Sequence, residues 1–147
     1  MKITDALRAE HCVFHNLLDH VEGTLPRLRS LAEIKVMAGM LESLLEPHSR
    51  AEDELLIAPM EHCLAHLGQQ ENFHHEHEGI EAGLRHVRAA RSVAAARKSL
   101  LAAVAASRTH FDKEERILFP LAEKVLKART LGELGDRFTK QRETEPA

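Results

Sequence analysis

The chain contains no tryptophan and no tyrosine, and only five phenylalanines in 147 residues. This removes tyrosyl-radical chemistry and leaves few platforms on which nucleic-acid bases could stack. Basic excess is also missing. Lys and Arg number 20 against 23 Asp and Glu, for a net charge of −3, so no counterion-release drive toward nucleic acid is expected. No run of about 18 apolar residues occurs, which excludes a membrane-spanning helix. The stretch from Met1 to His11 lacks the apolar core of a secretion signal. Two cysteines, Cys12 and Cys63, make no disulfide framework, and a reducing cytoplasmic setting is expected. What is present is ordinary for one soluble domain: 44% hydrophobic and 29% charged residues, in a chain long enough to bury its own core.

Apolar residues recur with helical period throughout, and no segment alternates with strand period. The first stripe is Ile3, Leu7, His11, Phe14, Leu18, Val21 and Leu25, with Thr4 as its expected N-cap and Pro26 near its end. The second is Leu31, Ile34, Leu41, Leu45, His48, Glu52 and Leu55, opened by a Ser30–Glu33 capping box. Pro47 is expected to kink or split this helix. Pro59 and Gly68 bracket the next connection. A third stripe runs Phe73, His77, Ile80, Leu84, Val87. The fourth, capped by Ser92, runs Leu100, Val104, Ser107, His110, Glu114, Ile117, Leu121, Val125. Thr130 and Glu133 suggest another capping box, opening a short helix toward Arg142. The expected fold is all-α, an up-down-up-down four-helix bundle with a short C-terminal helix. Residues 1–142 form a single domain and 143–147 a frayed tail.

Histidine is the anomaly, with eleven copies. His11, His48, His77 and His110 occupy stripe positions where Leu or Ile would serve a core. Glu52 and Glu114 do the same, each one turn after a histidine. Residues four apart share a helix face, so His48–Glu52 and His110–Glu114 each converge on one point. Buried carboxylates are costly unless paired or metal-bound, and two of them beside histidines call for a cation. Heights agree as well. His11 and His48 lie equally far from a reversal between Arg29 and Ser30, as do His77 and His110 from one between Val93 and Ala94. Glu10-His11 followed by His48-x-x-x-Glu52 is repeated as Glu76-His77 followed by His110-x-x-x-Glu114. The repeat predicts a pseudo-two-fold site with two equivalent metal positions.

These motifs, with Leu118-Phe119-Pro120 and the looser Ile57-Ala58-Pro59 trailing them, resemble the hemerythrin-like (HHE) family of non-heme di-iron bundles, over about Thr4 to Lys127. The resemblance implies His11, His48, His77 and His110 as terminal ligands and Glu52 and Glu114 as bridges. The cofactor it implies is two non-heme iron ions, oxo- or hydroxo-bridged; imidazole and carboxylate both suit iron. Ferritin-like and zinc-protease alternatives are poorly matched. Only Glu71-x-x-His74 fits the first, and Gly79 stands where the second needs a histidine.

Oxygen carriers of the family use a fifth histidine one turn before the position of His77. Here that residue is Phe73, with His74 next to it. His74 lies about 60° to one side of His77 on a helix, within reach of a long imidazole, so His74 is counted among the metal ligands. Five histidines suit a single open position and reversible O2 binding; four suit reaction with NO or peroxide. The expected function is binding of O2 or a related diatomic ligand for storage or sensing, by a binding protein rather than a catalyst. The alternative is an enzyme of NO or peroxide stress, or an iron donor for repair. A protein partner or homo-oligomer is compatible with either. His15, one turn after His11 and flanking its stripe, is solvated by default and otherwise the alternative fifth ligand; His20, His62, His66, His75 and His86 read as solvated, and Glu54 and Glu115 as surface charges. His62, Cys63 and His66 leave room for a surface zinc site.

Overall fold

A computed structural model of the chain describes residues 1–67 and 70–145. Every regular element among them is helical: α1 Ile3–Thr24, α2 Leu31–Glu52, α3 Glu61–His66, α4 Gln70–Ala89, α5 Val93–Lys113, α6 Phe119–Val125 and α7 Ala128–Thr144. Short connections join α1 to α2 and α4 to α5 as antiparallel hairpins, and the longer link carrying α3 joins the two, so α1, α2, α4 and α5 form the expected all-α bundle. In it α4 packs on both α5 and α2, and α1 packs on α5; α7 lies outside and docks along α1.

Local chemistry sets the helix starts. The Ser30 and Ser92 hydroxyls accept the N–H groups of Glu33 and Ala95, each at 3.1 Å, capping α2 and α5; each cap stabilises by about 1 kcal/mol. Two other expected caps do not form. Helix α1 already begins at Ile3, and Thr4 is buried in its first turn, donating to Glu123 Oε1 at 2.7 Å. Helix α7 begins at Ala128, so Thr130 lies inside it and Glu133 instead accepts from Arg129 Nε at 2.8 Å. The same helix continues past Arg142 to Thr144, and Glu145 beyond it pairs with Arg50 and Arg142. Pro146 and Ala147 lie outside the described residues, as does Gly68.

Pro47 does not split α2, which runs unbroken to Glu52. The missing N–H deprives only the Ser43 carbonyl, and Ser43 is exposed, so water can serve it. The irregularity comes later, and in both halves of the chain. Asp53–Ile57 and Glu114–Leu118 are π-helical turns, with Pro59 and Pro120 in the turns that follow. A π turn inserts one extra residue into the helical repeat. This explains a departure from the expected fourth stripe. Ile117 is 48% exposed and Val125 is also exposed, whereas Leu118, Phe119 and Ala122 are buried. The buried face has moved on by one residue.

The core is divided into two apolar clusters. One gathers Leu7, Leu55, Leu56, Phe73, Leu118, Phe119 and the inner face of α7. The other gathers Phe14, Leu18, Leu41, Ile80, Leu84, Leu100 and Val104. Between them lies a layer of polar side chains.

Candidate metal centre

That layer consists of His11, His48, Glu52, His77, His110 and Glu114, all buried. Each helix of the bundle contributes one histidine, and His11 stands between Leu7 of one apolar cluster and Phe14 of the other. The glutamates sit at the last turn of α2 and the start of the second π turn. The Nε2 atoms point inward. His11 Nε2 lies 3.1 Å from His48 Nε2 and 3.2 Å from Glu114 Oε2. His77 Nε2 lies 3.2 Å from Glu52 Oε2 and 3.4 Å from Glu114 Oε1. His110 Nε2 is in close contact with Glu114 Oε1.

Two groups capable of holding a metal ion result: His11, His48, Glu52 and Glu114, and Glu52, His77, His110 and Glu114. In each, the donor atoms lie within 4.8 Å of one another. Both glutamates belong to both groups. The donor set suits a cation on a further count. Glu52 Oε1, both Glu114 oxygens and His110 Nε2 are buried without a hydrogen-bond partner, a costly arrangement unless something else satisfies them.

A family model described as the hemerythrin HHE cation binding domain matches residues 2–122, with a second, overlapping match over 68–143. The chain belongs to the hemerythrin HHE family. Comparisons with curated proteins and with solved structures returned no match.

The outer ring of this HHE domain was not legible as a site in the sequence. His11 Nδ1 faces Glu115 Oε1 at 3.0 Å, His77 Nδ1 faces Asp53 Oδ1 at 3.1 Å and His110 Nδ1 faces Glu76 Oε2 at 2.7 Å. Glu10 Oε2 lies 3.5 Å from His48 Nδ1. Such carboxylates fix the imidazole tautomer and turn Nε2 toward a metal. Glu115 is therefore not a mere surface charge. The signal that could have revealed it is repetition: an acid follows each core glutamate, Asp53 after Glu52 and Glu115 after Glu114.

His74 stands apart from both groups. Its side chain is 61% exposed and pairs with Glu78 at 3.2 Å, while Phe73 takes the buried position against His110. The 60° offset turns the imidazole out to solvent instead of bending it in. His62, Cys63 and His66 form no metal-competent group among the described residues.

Electrostatics match a cation-demanding layer. Burial pushes the Glu52 carboxyl up, and the Glu114 charge pushes it the same way. Burial also acts on Glu114, but the imidazoles of His11, His110 and His77 close beside it outweigh burial and hold that carboxyl well below the usual range. Burial would lower His77; its contacts with the carboxylates of Asp53, Glu114 and Glu52 prevail and push it up to about 12. His11 and His110 are raised in the same manner. Without a metal, a proton on His77 supplies positive charge to the layer.

Phe111 and Phe119 lean over His11, and Phe14 packs edge-on against His48, drying that side. A groove of about 250 Å³ between α2 and α4 reaches His77, lined by Leu45, Ser49, Ile80 and Leu84, with the Arg88–Glu42 pair among its charged residues. No helix among the described residues is long and apolar enough to cross a membrane.

Proposed function

We propose that this HHE domain holds two non-heme iron ions and acts on a small diatomic or peroxide ligand. His11 and His48 would hold one ion, His77 and His110 the other, and Glu52 and Glu114 both. The observation that carries this reading is the sharing of the two glutamates by two overlapping donor groups. Bound iron would supply electrons and a coordination position for the small ligand. The chain's own residues do the rest. Glu115, Asp53 and Glu76 keep a proton at Nδ1 of His11, His77 and His110, so the Nε2 lone pairs stay free for metal. Phe14, Phe111 and Phe119 exclude water. The groove at His77 offers a small ligand a way toward that end of the layer.

The position of His74 bears on the choice of ligand. With four histidines rather than five, the donor set is symmetric and favours reaction with NO or peroxide over reversible O2 carriage. Stopped-flow mixing of ferrous protein with NO, H2O2 and O2 separates these. One round of NO or peroxide reduction, oxidising the two ferrous ions, is expected, with repeated rounds once a chemical reductant is supplied in excess. A visible spectrum that appears with O2, reverses when O2 is removed and accompanies no turnover of the others would favour storage or sensing of O2.

A further inference from the structure

The internal repeat predicts two equivalent metal positions, yet the residues behind the histidines differ between the halves. His11 and His77 are each backed by a carboxylate, Glu115 at 3.0 Å, whose oxygen His15 Nε2 also approaches at 3.2 Å, and Asp53 at 3.1 Å. The other two histidines differ from one another. His110 Nδ1 donates to Glu76 Oε2 at 2.7 Å, while Lys113 holds the other Glu76 oxygen at 2.9 Å. Its counterpart Glu10 is taken by Arg142. Nε and Nη2 reach Glu10 Oε1 at 2.9 and 2.6 Å, and Nη2 reaches Oε2, the oxygen nearest His48, at 3.1 Å. That oxygen stays 3.5 Å from His48 Nδ1, which is buried with no hydrogen bond at all. Sequence explains the difference. Lys113 directly precedes Glu114, whereas the residue preceding Glu52 is Ala51. The first half carries no cation of its own at this place, and α7, which has no counterpart in the repeat, brings one from outside.

We propose that Arg142 is a positioning residue that makes the two metal positions unequal, leaving the His11–His48 position the weaker of the two. This rests on the two-ion reading above. An imidazole whose Nδ1 proton is bound by a carboxylate is held in one tautomer and is a stronger donor at Nε2. Loss of such a partner costs about 10–100-fold in metal affinity. Arg142 draws Glu10 away from His48 and neutralises the oxygen that would have backed it. The His77–His110 position fills first, and the His11–His48 position fills second and empties first.

Anaerobic calorimetric titration of the metal-free chain with ferrous ion tests this. The parent is expected to take up two ions in steps separated by about tenfold or more. Arg142→Gln should tighten the second step toward the first and leave the first where it was. In a Glu10→Gln background the same change should bring no tightening, because the gain passes through Glu10. Glu76→Gln should weaken the first step alone. Should Arg142→Gln fail to fold, Arg142→Lys serves, since one ammonium cannot hold both Glu10 oxygens and the second step should tighten in part. Two equal steps in the parent, or Arg142 variants that move both steps together or neither, would overturn the inference. Uptake of fewer than two ions by the parent would instead sink the two-ion reading on which it stands.

Discussion

A carboxylate buried without a partner is among the costliest groups a core can hold, and Glu52 and Glu114 present three such oxygens between them. A cation shared by both removes that cost, so the two glutamates should control metal content. The double variant Glu52→Gln, Glu114→Gln is expected to retain well below one iron per chain by metal analysis; unchanged content would refute the assignment of both as bridges. Phe73 and His74 make the opposite test. Replacing His74 by Ala should leave metal content unaltered and shift stability by no more than about 0.5 kcal/mol, as for other solvated side chains. Phe73→Ala empties a fully buried position and should cost about 3–5 kcal/mol, read from denaturant unfolding of the metal-free protein.

Among the elements, the π turns and α7 set this bundle apart from four regular helices. Each π turn begins beside a core glutamate, and the residues after it swing round by one position. Leu118 and Phe119 thereby fill the cluster under α7 where Ile117 would otherwise lie. Helix α7 closes that cluster with Leu131, Leu134 and Phe138 and approaches the start of the chain closely at Gly135. A Cβ there would collide with the Met1 carbonyl oxygen and stand 3.1 Å from the Ile3 nitrogen, both backbone atoms. Gly135→Ala should therefore destabilise by about 1–3 kcal/mol as the segment is pushed off α7, outweighing the helix-propensity gain. Gly39→Ala, in the interior of α2 with nothing within 4 Å of its Cβ, should stabilise by about 0.5–1 kcal/mol. Equal effects of the two changes in thermal unfolding would show that the close approach is absent in solution.

For the molecule as a whole, the polar layer joins metal binding to folding. It separates two apolar clusters that cannot pack across it unless its charges balance. Metal that binds only the folded chain should add about 4 kcal/mol at a thousandfold excess over the dissociation constant, seen as a rise in unfolding temperature. The sign of the pH dependence follows from the imidazoles. His77 is pushed up to about 12, so in the metal-free protein it holds a proton at neutral pH, and His11 and His110 are raised in the same direction. A metal must displace the His77 proton. Affinity should fall as pH falls, and uptake at neutral pH should release protons. Titration heats that change with the ionisation enthalpy of the buffer would show it; buffer-independent heats would contradict it.

The helical class, the four histidines and two glutamates of the layer, and their agreement in height were legible in the sequence by itself. The reason is that helical period ties residue spacing to a face, and a carboxylate on an apolar face is stable only beside a cation or a proton donor. The Ser30 and Ser92 caps were legible for the same local reason. The rest depended on how the helices are rotated against one another. Glu115 backs a histidine 104 residues away, and Arg142 holds a glutamate 132 residues away; no local pattern encodes either pairing. A π turn is chosen when the stripe beyond it must meet partners on other helices, so the exposure of Ile117 could not be read from spacing. His74 and Phe73 flank the direction of His77 almost equally. Only the packed bundle, with room there for a phenyl ring and solvent on the other side, decided which of them went in.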